Sequence, residues 1–432
     1  MRTTQRMWRI TVVLFFNIIA VQHTYGQLDT TFPKRTIPYT VFLNTVAQRH
    51  LGYAAEKLNV DIANANVLTA GIIPDPTLST GWFDNGQNRM NMGYGFNAGL
   101  SWTLELGGKR EARLNVAQSQ YELSKLLLQD YFRNLRADAT LAYLTALLRK
   151  LLLDVRISSY QAMEKLAQSD SVRFRAGAIT EVDARQSKLE AGTMLNDVFQ
   201  AEAEWKAALV QLSAFLGTQP TDTLFLPEGT FDAFERTFSL QELLEVAYTN
   251  RADVLAAQQN TALSRNLVNL AQANRVIDVE LSVGINYTSY VRNIIAPTPS
   301  FTVVGAGIAF PLKFSNNRPG ELSAAYYARE QADLQYRQIQ VDARSQVTQA
   351  YFAYRALQRQ VQQFRSGLLT EAKAVLDGKV YSYQRGETSL LEVLNAQRTY
   401  NDIQQNYYQT LYNYAAALIE LERAAGIWDI RF

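Results

Sequence analysis

The chain repeats itself once along its length. Asp75-Pro-Thr-Leu-Ser-Thr-Gly81 returns as Asp278-Val-Glu-Leu-Ser-Val-Gly284, 203 residues on. Leu104-Glu105-Leu106 returns at Phe310-Pro311-Leu312, and Ala142-Tyr143 at Ala350-Tyr351. Gly177-Ala-Ile-Thr-Glu-Val-Asp183 returns as Gly386-Glu-Thr-Ser-Leu-Leu-Glu392, at a separation of 209. Four matches in one order mark a duplication, so any unit that fits one half must also fit the other. The drift in separation falls mainly in a hairpin loop, where insertions are tolerated.

The repeated unit combines two periods. A helix near Tyr39 to Ala70 is stopped by Pro74 and Pro76. A strand over Thr77–Phe83 and a polar turn over Asp84–Gly93 follow. From Tyr94 to Leu106, Phe96, Ala98, Leu100, Trp102, Leu104 and Leu106 alternate with Asn97, Gly99, Ser101, Thr103 and Glu105. This period of two gives one apolar and one small, polar face. After Gly107-Gly108 the pattern turns helical, and roughly 65 residues of helix at 1.5 Å each give a rod of about 100 Å.

The second copy predicts a helix near Leu240 to Asn274 and strands Val279–Tyr290 and Phe301–Leu312. Val279, Leu281, Val283, Ile285 and Tyr287 share one face, and Glu280, Ser282, Gly284, Asn286 and Thr288 the other. Such strands fit a half-buried sheet of a soluble α+β domain, or a membrane barrel with a wet lumen. Trp82, Tyr287 and Tyr290 suit an interfacial belt or ordinary strand aromatics. Four strands cannot close around an open lumen, so the membrane reading requires a homo-oligomer.

Met194, Val198, Ala201, Trp205, Ala208 and Leu212 form a heptad seam, as do Tyr400, Ile403, Tyr407, Leu411, Tyr414, Leu418 and Leu421. Phe174-Arg-Ala-Gly177 and Tyr383-Gln-Arg-Gly386 read as helix ends capped by glycine. Thr180 and Ser389 are placed to cap the returning helices, with Asp183 and Glu392 in capping-box position. Each copy therefore ends in a helical hairpin with a tight tip. The expected division is a signal at 1–26, a first repeat at 27–216, an irregular linker at 217–238, a second repeat at 239–426 and a tail at 427–432.

Arg2, Arg6 and Arg9 before the apolar run Ile10 to Val21, with Thr24 and Gly26 ahead of Gln27, predict a cleaved secretory signal. The run is shorter than the roughly 20 residues that span a bilayer. Of 42 Lys and Arg, three leave with this segment, so 39 face 40 Asp and Glu in the mature chain, which gives no argument for nucleic-acid binding. No later stretch has 18 apolar residues in a row, so contact with a bilayer requires a closed barrel. No cysteine is present, which removes disulfides, thiol catalysis, Cys-ligated metals and an acylated N-terminal Cys. The histidines are His23, within the signal, and His50. With no nucleophile–base pair, His cluster or phosphate loop, no enzyme, cofactor or metal site is expected.

Together these features resemble the TolC family of outer-membrane efflux proteins. Tyr383-x-x-Gly386-x-x-Ser389-Leu-Leu-Glu392-Val-Leu-x-Ala396-Gln397 is similar to the family's second tip. Glu105-Leu-Gly-Gly-Lys-Arg110, after Pro74-Asp-Pro76, resembles outer-membrane components of heavy-metal (cobalt–zinc–cadmium or copper/silver) resistance pumps of the RND type. The resemblance implies a mainly α fold with a membrane β-barrel: a homotrimer with a 12-stranded barrel in outer-membrane lipid and a long α-helical periplasmic tunnel. It implies a periplasmic adaptor docked on the tips and an inner-membrane RND pump behind it.

Carried over, Arg175, Ala176, Gly177, Ala178, Ile179 and Thr180, with Arg385, Gly386, Glu387, Thr388 and Ser389, are the adaptor-facing tips. Glu392 and Asn395 match positions that narrow the entrance, with Asp183 beside them, and Tyr383 and Glu181 match a tip-closing hydrogen-bonded pair. Asn395 stands where a carboxylate is usual, and Thr388 where a closing Arg occurs. Glu392 and Asp183 have a simpler reading as capping carboxylates. The implied function is a passive exit duct opened by untwisting of the tips. A type I secretion duct and a coiled-coil scaffold are the alternatives.

Overall fold

The computed structural model describes residues 33–84, 92–218, 223–231, 234–292, 294–312 and 318–430. The expected signal segment lies outside these residues. In chain order the elements are β1 (Lys34–Ile37), α1 (Tyr39–Arg49), α2 (Leu51–Ala70), β2 (Thr77–Asp84), β3 (Tyr94–Leu104), α3 (Lys109–Arg175) and α4 (Glu181–Phe215). They continue as β4 (Leu224–Pro227), α5 (Leu240–Asn250), α6 (Ala252–Ala273), β5 (Val279–Thr288), β6 (Phe301–Ala309), α7 (Pro319–Gln363), α8 (Leu369–Gln384) and α9 (Leu390–Ala425).

β2, β3, β5 and β6 form one antiparallel sheet in that order, leaving β2 and β6 as free edges. The register brings Trp82, Phe96 and Tyr287 to one level, and Leu78, Leu100 and Val283 to another, on the same face. Leu78, Trp82, Leu100, Val283, Val304 and Ile308 are exposed there. The opposite face is small at mid-strand, where Ser79, Gly99, Gly284 and Gly305 lie in one row. Gly95 is covered by the Phe83 ring across the strand pair. No helix among the described residues is long and apolar enough to cross a membrane.

α3 runs unbroken for 67 residues and packs against α2, α4, α6 and α9. The heptad seams point inward, with Trp205, Ala208 and Leu212 of α4 and Leu411, Tyr414, Leu418 and Leu421 of α9 buried. The principal core lies at mid-height, around Phe42, Val46, Tyr143, Leu144, Leu212, Phe234, Tyr354, Leu418 and Ile419. Nearer the tips the seam becomes partly polar. Ser159 donates to Asn401 at 2.7 Å and Gln397 donates to the same oxygen at 2.9 Å, both within the buried interior. Such partners fix the register of α3 against α9, because a slip leaves buried polar groups unpaired.

Four sequence expectations are corrected. The opening helices are each two: α1 and α2 part at His50 (ψ 117°), and α5 and α6 at Arg251 (ψ 120°). An extended residue at each site turns the chain, and no proline announces it. The linker is not wholly irregular, since β4 pairs in parallel with β1. The counterpart of Tyr143 in packing is Tyr354, one turn beyond Tyr351. Tyr143 donates to the carbonyls of Ile37 and Glu228, and Tyr354 to those of Phe234 and Arg236, so each ties a connecting segment to its long helix. Finally, the second long helix is interrupted. Phe364–Leu368 is a wide π turn with Gly367 at φ 115°, between α7 and α8.

The tail folds back beneath α9. Gly426 ends that helix at φ 72°, Asp429 N–H donates to Glu422 at 3.0 Å, and the Arg136 guanidinium lies 4.6 Å from the Trp428 ring. Glu422 is fully buried. Desolvation first, and then the neighbouring Asp429 side chain, push its carboxyl up to about 8. The native state therefore holds a proton that the unfolded chain releases near pH 4.5, so stability falls as pH rises from there to about 8 and is level above.

Two outcomes follow. Glu422→Gln flattens that slope in a pH series of thermal unfolding and raises the midpoint near pH 8. Gly426→Ala lowers the midpoint more than Gly177→Ala. Both impose a left-handed conformation, at a cost of about 1–2 kcal/mol, but a Cβ at 426 also meets Arg251 backbone at 3.1 Å, whereas at 177 it meets open space.

Candidate functional site: the paired helical tips

Both hairpin tips are built alike. At the first, Ala178 N–H donates to Arg173 O at 2.8 Å and Gly177 N–H to Phe174 O at 2.9 Å, with Gly177 at φ 73°. At the second, Glu387 N–H donates to Ser382 O at 2.9 Å and Gly386 N–H to Tyr383 O at 3.0 Å, with Gly386 at φ 79°. This is the Schellman pattern, in which a left-handed glycine lets the chain satisfy the last carbonyls and leave sharply. Arg175, Ala176, Gly177, Ala178 and Thr180 are exposed, as are Arg385, Gly386, Glu387 and Ser389, while Ile179 and Thr388 are half-buried. The two tips thus present short, solvent-facing loops.

The returning helices differ in their caps. Thr180 accepts from Asp183 N–H at 3.1 Å and donates to the Asp183 carboxylate at 2.7 Å. Ser389 makes no side-chain cap on α9. Glu392 is exposed, and Lys379 on α8 donates to it at 2.6 Å. That ammonium, helped by the Ser389 backbone N–H, holds the Glu392 carboxyl below its ordinary range. Each Glu392 therefore carries its own counter-charge. Asn395 is exposed one turn further along α9.

The expected pairing of Tyr383 with Glu181 is not made within the chain. Glu181 accepts from Arg185 at 2.8 Å on its own helix. Tyr383 is buried, and its hydroxyl donates to Asp170 Oδ1 at 3.1 Å. Asp170, on α3, is fully buried in the tip core of Met163, Ala167, Ala191, Leu390 and Val393. Arg173 completes the contact: it donates to Tyr383 O at 3.3 Å, and its guanidinium sits 4.7 Å from the Tyr383 ring centre. Desolvation raises the Asp170 carboxyl, with Ser187, Tyr383 and Arg173 pulling it partly back. Desolvation and the adjacent carboxylate push the Tyr383 hydroxyl up to about 12.

Sequence reasoning missed Asp170. Its neighbours Gln168, Ser169 and Ser171 are polar, so it reads as one more residue on a wet helical face. The arrangement can act as a latch, since it ties α3 of one hairpin to α8 of the other through a single buried carboxylate. No group of three or more His, Asp or Glu side chains suited to a metal occurs among the described residues.

The latch carries a pH dependence of definite sign. A separated tip hydrates Asp170 and returns it to the ordinary carboxylate range, whereas the closed tip raises it. Closure is therefore favoured as pH falls, and is weakest above the raised value. Hydrogen-exchange protection factors around residues 165–175 and 380–390 fall as pH rises above the ordinary carboxylate range. Tyr383→Phe lowers them further, by an amount equivalent to about 1–3 kcal/mol for a hydrogen bond to a charged group.

Comparison with known proteins follows the same architecture. The profile of the Outer membrane efflux protein family matches residues 43–218 and 243–427, both copies of the repeat. The cobalt-zinc-cadmium resistance protein CzcC of Cupriavidus metallidurans is 22% identical over 411 residues, covering 94% of this chain and 95% of that protein. The outer membrane protein TolC of Vibrio cholerae is 24% identical over 331 residues, covering 73% and 70%. A crystal structure of CusC, concerned with folding and transmembrane channel formation, superposes with a TM-score of 0.76 at 18% identity over 94% of this chain and 96% of that one.

Proposed function

From the premise that the chain belongs to the outer membrane efflux protein family, we propose that three copies assemble into the outer-membrane exit duct of a tripartite efflux pump. The observation that carries the reading is the four-stranded sheet with an exposed apolar face, a small polar face and two free edges. In hydrocarbon each unpaired edge leaves a row of costly N–H and C=O groups. Joining β2 of one copy to β6 of the next pairs them all, and three copies supply twelve strands. The apolar face then meets lipid and the small face lines water.

The long helices continue from the sheet as a periplasmic tunnel. The exposed tip loops, Arg175 to Thr180 and Arg385 to Ser389, are the docking points for a periplasmic adaptor, behind which stands an inner-membrane RND pump. The duct is passive, and opening parts the Asp170–Tyr383 latch as the partners bias a closed–open equilibrium. Glu392 and Asn395 line the entrance. The Lys379 pair weakens Glu392 as an anionic ring, so the entrance filters charge less than a bare carboxylate would. The cargo is a divalent transition-metal ion, a reading supported by the near full-length match to CzcC.

Sizing in detergent gives three times the mass of the mature chain. The trimer conducts in planar bilayers, and Tyr383→Phe raises its open probability. A monomer without conductance sinks the duct. Deleting the gene sensitises the host to cobalt, zinc or cadmium salts. Unchanged metal tolerance with new drug sensitivity would keep the duct and overturn the cargo.

A further inference from the structure

The inward-facing positions of the sheet are nearly free of charge. On β2 they are Thr77, Ser79, Gly81 and Phe83, and on β3 Gly95, Asn97, Gly99, Ser101 and Thr103. On β6 they are Phe301, Val303, Gly305, Gly307 and Ala309. β5 presents Ser282, Gly284, Asn286 and Thr288, and one ionisable residue, Glu280. We propose that Glu280 is a specificity-determining residue of the duct: a ring of three Glu280 carboxylates at the junction of barrel and tunnel favours cations on their way out. The inference rests on the trimeric duct proposed above.

Three observations carry it. Glu280 is exposed and makes no ion pair or hydrogen bond among the described residues, and its register partners Thr103 and Ala309 are too small to cover it. The neighbouring acids are already neutralised. Asp278 takes Lys109 Nζ at 2.6 Å together with Leu106 N–H at 3.3 Å, and Glu105 is paired with Arg113. Those pairs fasten the sheet to α3 and leave Glu280 as the uncompensated charge at this level of the strands. Third, the duplication is broken here: the residue matching Glu280 in the first copy is Thr77, so each chain contributes one carboxylate.

Geometry makes so sparse a ring effective. Twelve strands about 4.8 Å apart and tilted about 40° enclose a backbone radius of roughly 12 Å. Glutamates reaching inward leave their carboxylates about 8 Å from the axis, within the Debye length of roughly 8 Å at physiological salt. Every ion crossing this level therefore lies inside the field of all three, and the low-dielectric wall focuses it. The next inward rows are Ser101, Ser282 and Gly307, then Gly99, Gly284 and Gly305, so no charged side chain of these strands stands between the ring and the outer mouth.

The test uses the absence of cysteine from the chain, which makes Glu280→Cys a unique thiol. Reversal potentials are read on trimers in planar bilayers under a KCl gradient at low salt. Glu280→Gln lowers the cation-to-anion permeability ratio at least twofold, and does so equally in a Glu392→Gln background. On Glu280→Cys, a cationic methanethiosulfonate reagent added from the outer side shifts the ratio further toward anions, and its anionic counterpart restores cation preference. An unchanged ratio in Glu280→Gln, or a thiol that no reagent reaches from the lumen, overturns the proposal while the wild-type current leaves the duct standing. A wild-type trimer that carries no current overturns both.

Discussion

The structure depends on the pairing of backbone groups that cannot reach water. Four strands with an apolar face and two free edges are unstable as a unit in lipid, since each unpaired N–H or C=O there costs several kcal/mol. The chain supplies one third of a closed surface and must find the rest in copies of itself. That requirement reaches down into the helices. The Asp278–Lys109 and Glu105–Arg113 pairs transfer the position of the sheet to the start of α3. The mid-height core then holds α3, α7 and α9 together, and further along Asp170 and Arg173 of α3 meet Tyr383 of α8.

Much of this was legible because the physics enforces simple periods. Lipid on one side and water on the other demand strict alternation, and Phe96 to Leu104 and Val279 to Tyr287 display it. Heptads at Trp205 to Leu212 and Leu411 to Leu421 announced which helical faces would be buried. Glycine in positive φ was readable at Gly177 and Gly386, because polar capping residues follow each.

What escaped had no local signature. β1 and β4 are four residues each, and their parallel pairing joins positions about 190 apart. Asp170 is a buried carboxylate whose partner Tyr383 lies on α8, 213 residues away. Gly367 breaks its helix, while Gly192 and Gly378 sit inside helices without disturbing them, so the residue type alone does not mark the break. The duplication helped and also misled. It located both hairpins, yet it matched Tyr143 to Tyr351 where packing uses Tyr354, and it concealed the charge that separates Thr77 from Glu280.

The interruption at Gly367 makes the two halves mechanically unequal. α3 is a continuous strut, and the position 209 residues before Gly367 is Ser158, in unbroken helix. The second hairpin has a joint. From Gly367 to the turn at Gly386 the lever arm is about 28 Å at 1.5 Å per residue, so a bend of only about 10° there carries the second tip roughly 5 Å sideways. The first hairpin can follow only by elastic curvature along its whole length. In the trimer proposed above, three stiff posts would stand beside three hinged ones, and a swing of the hinged set would widen the aperture within a frame that stays still.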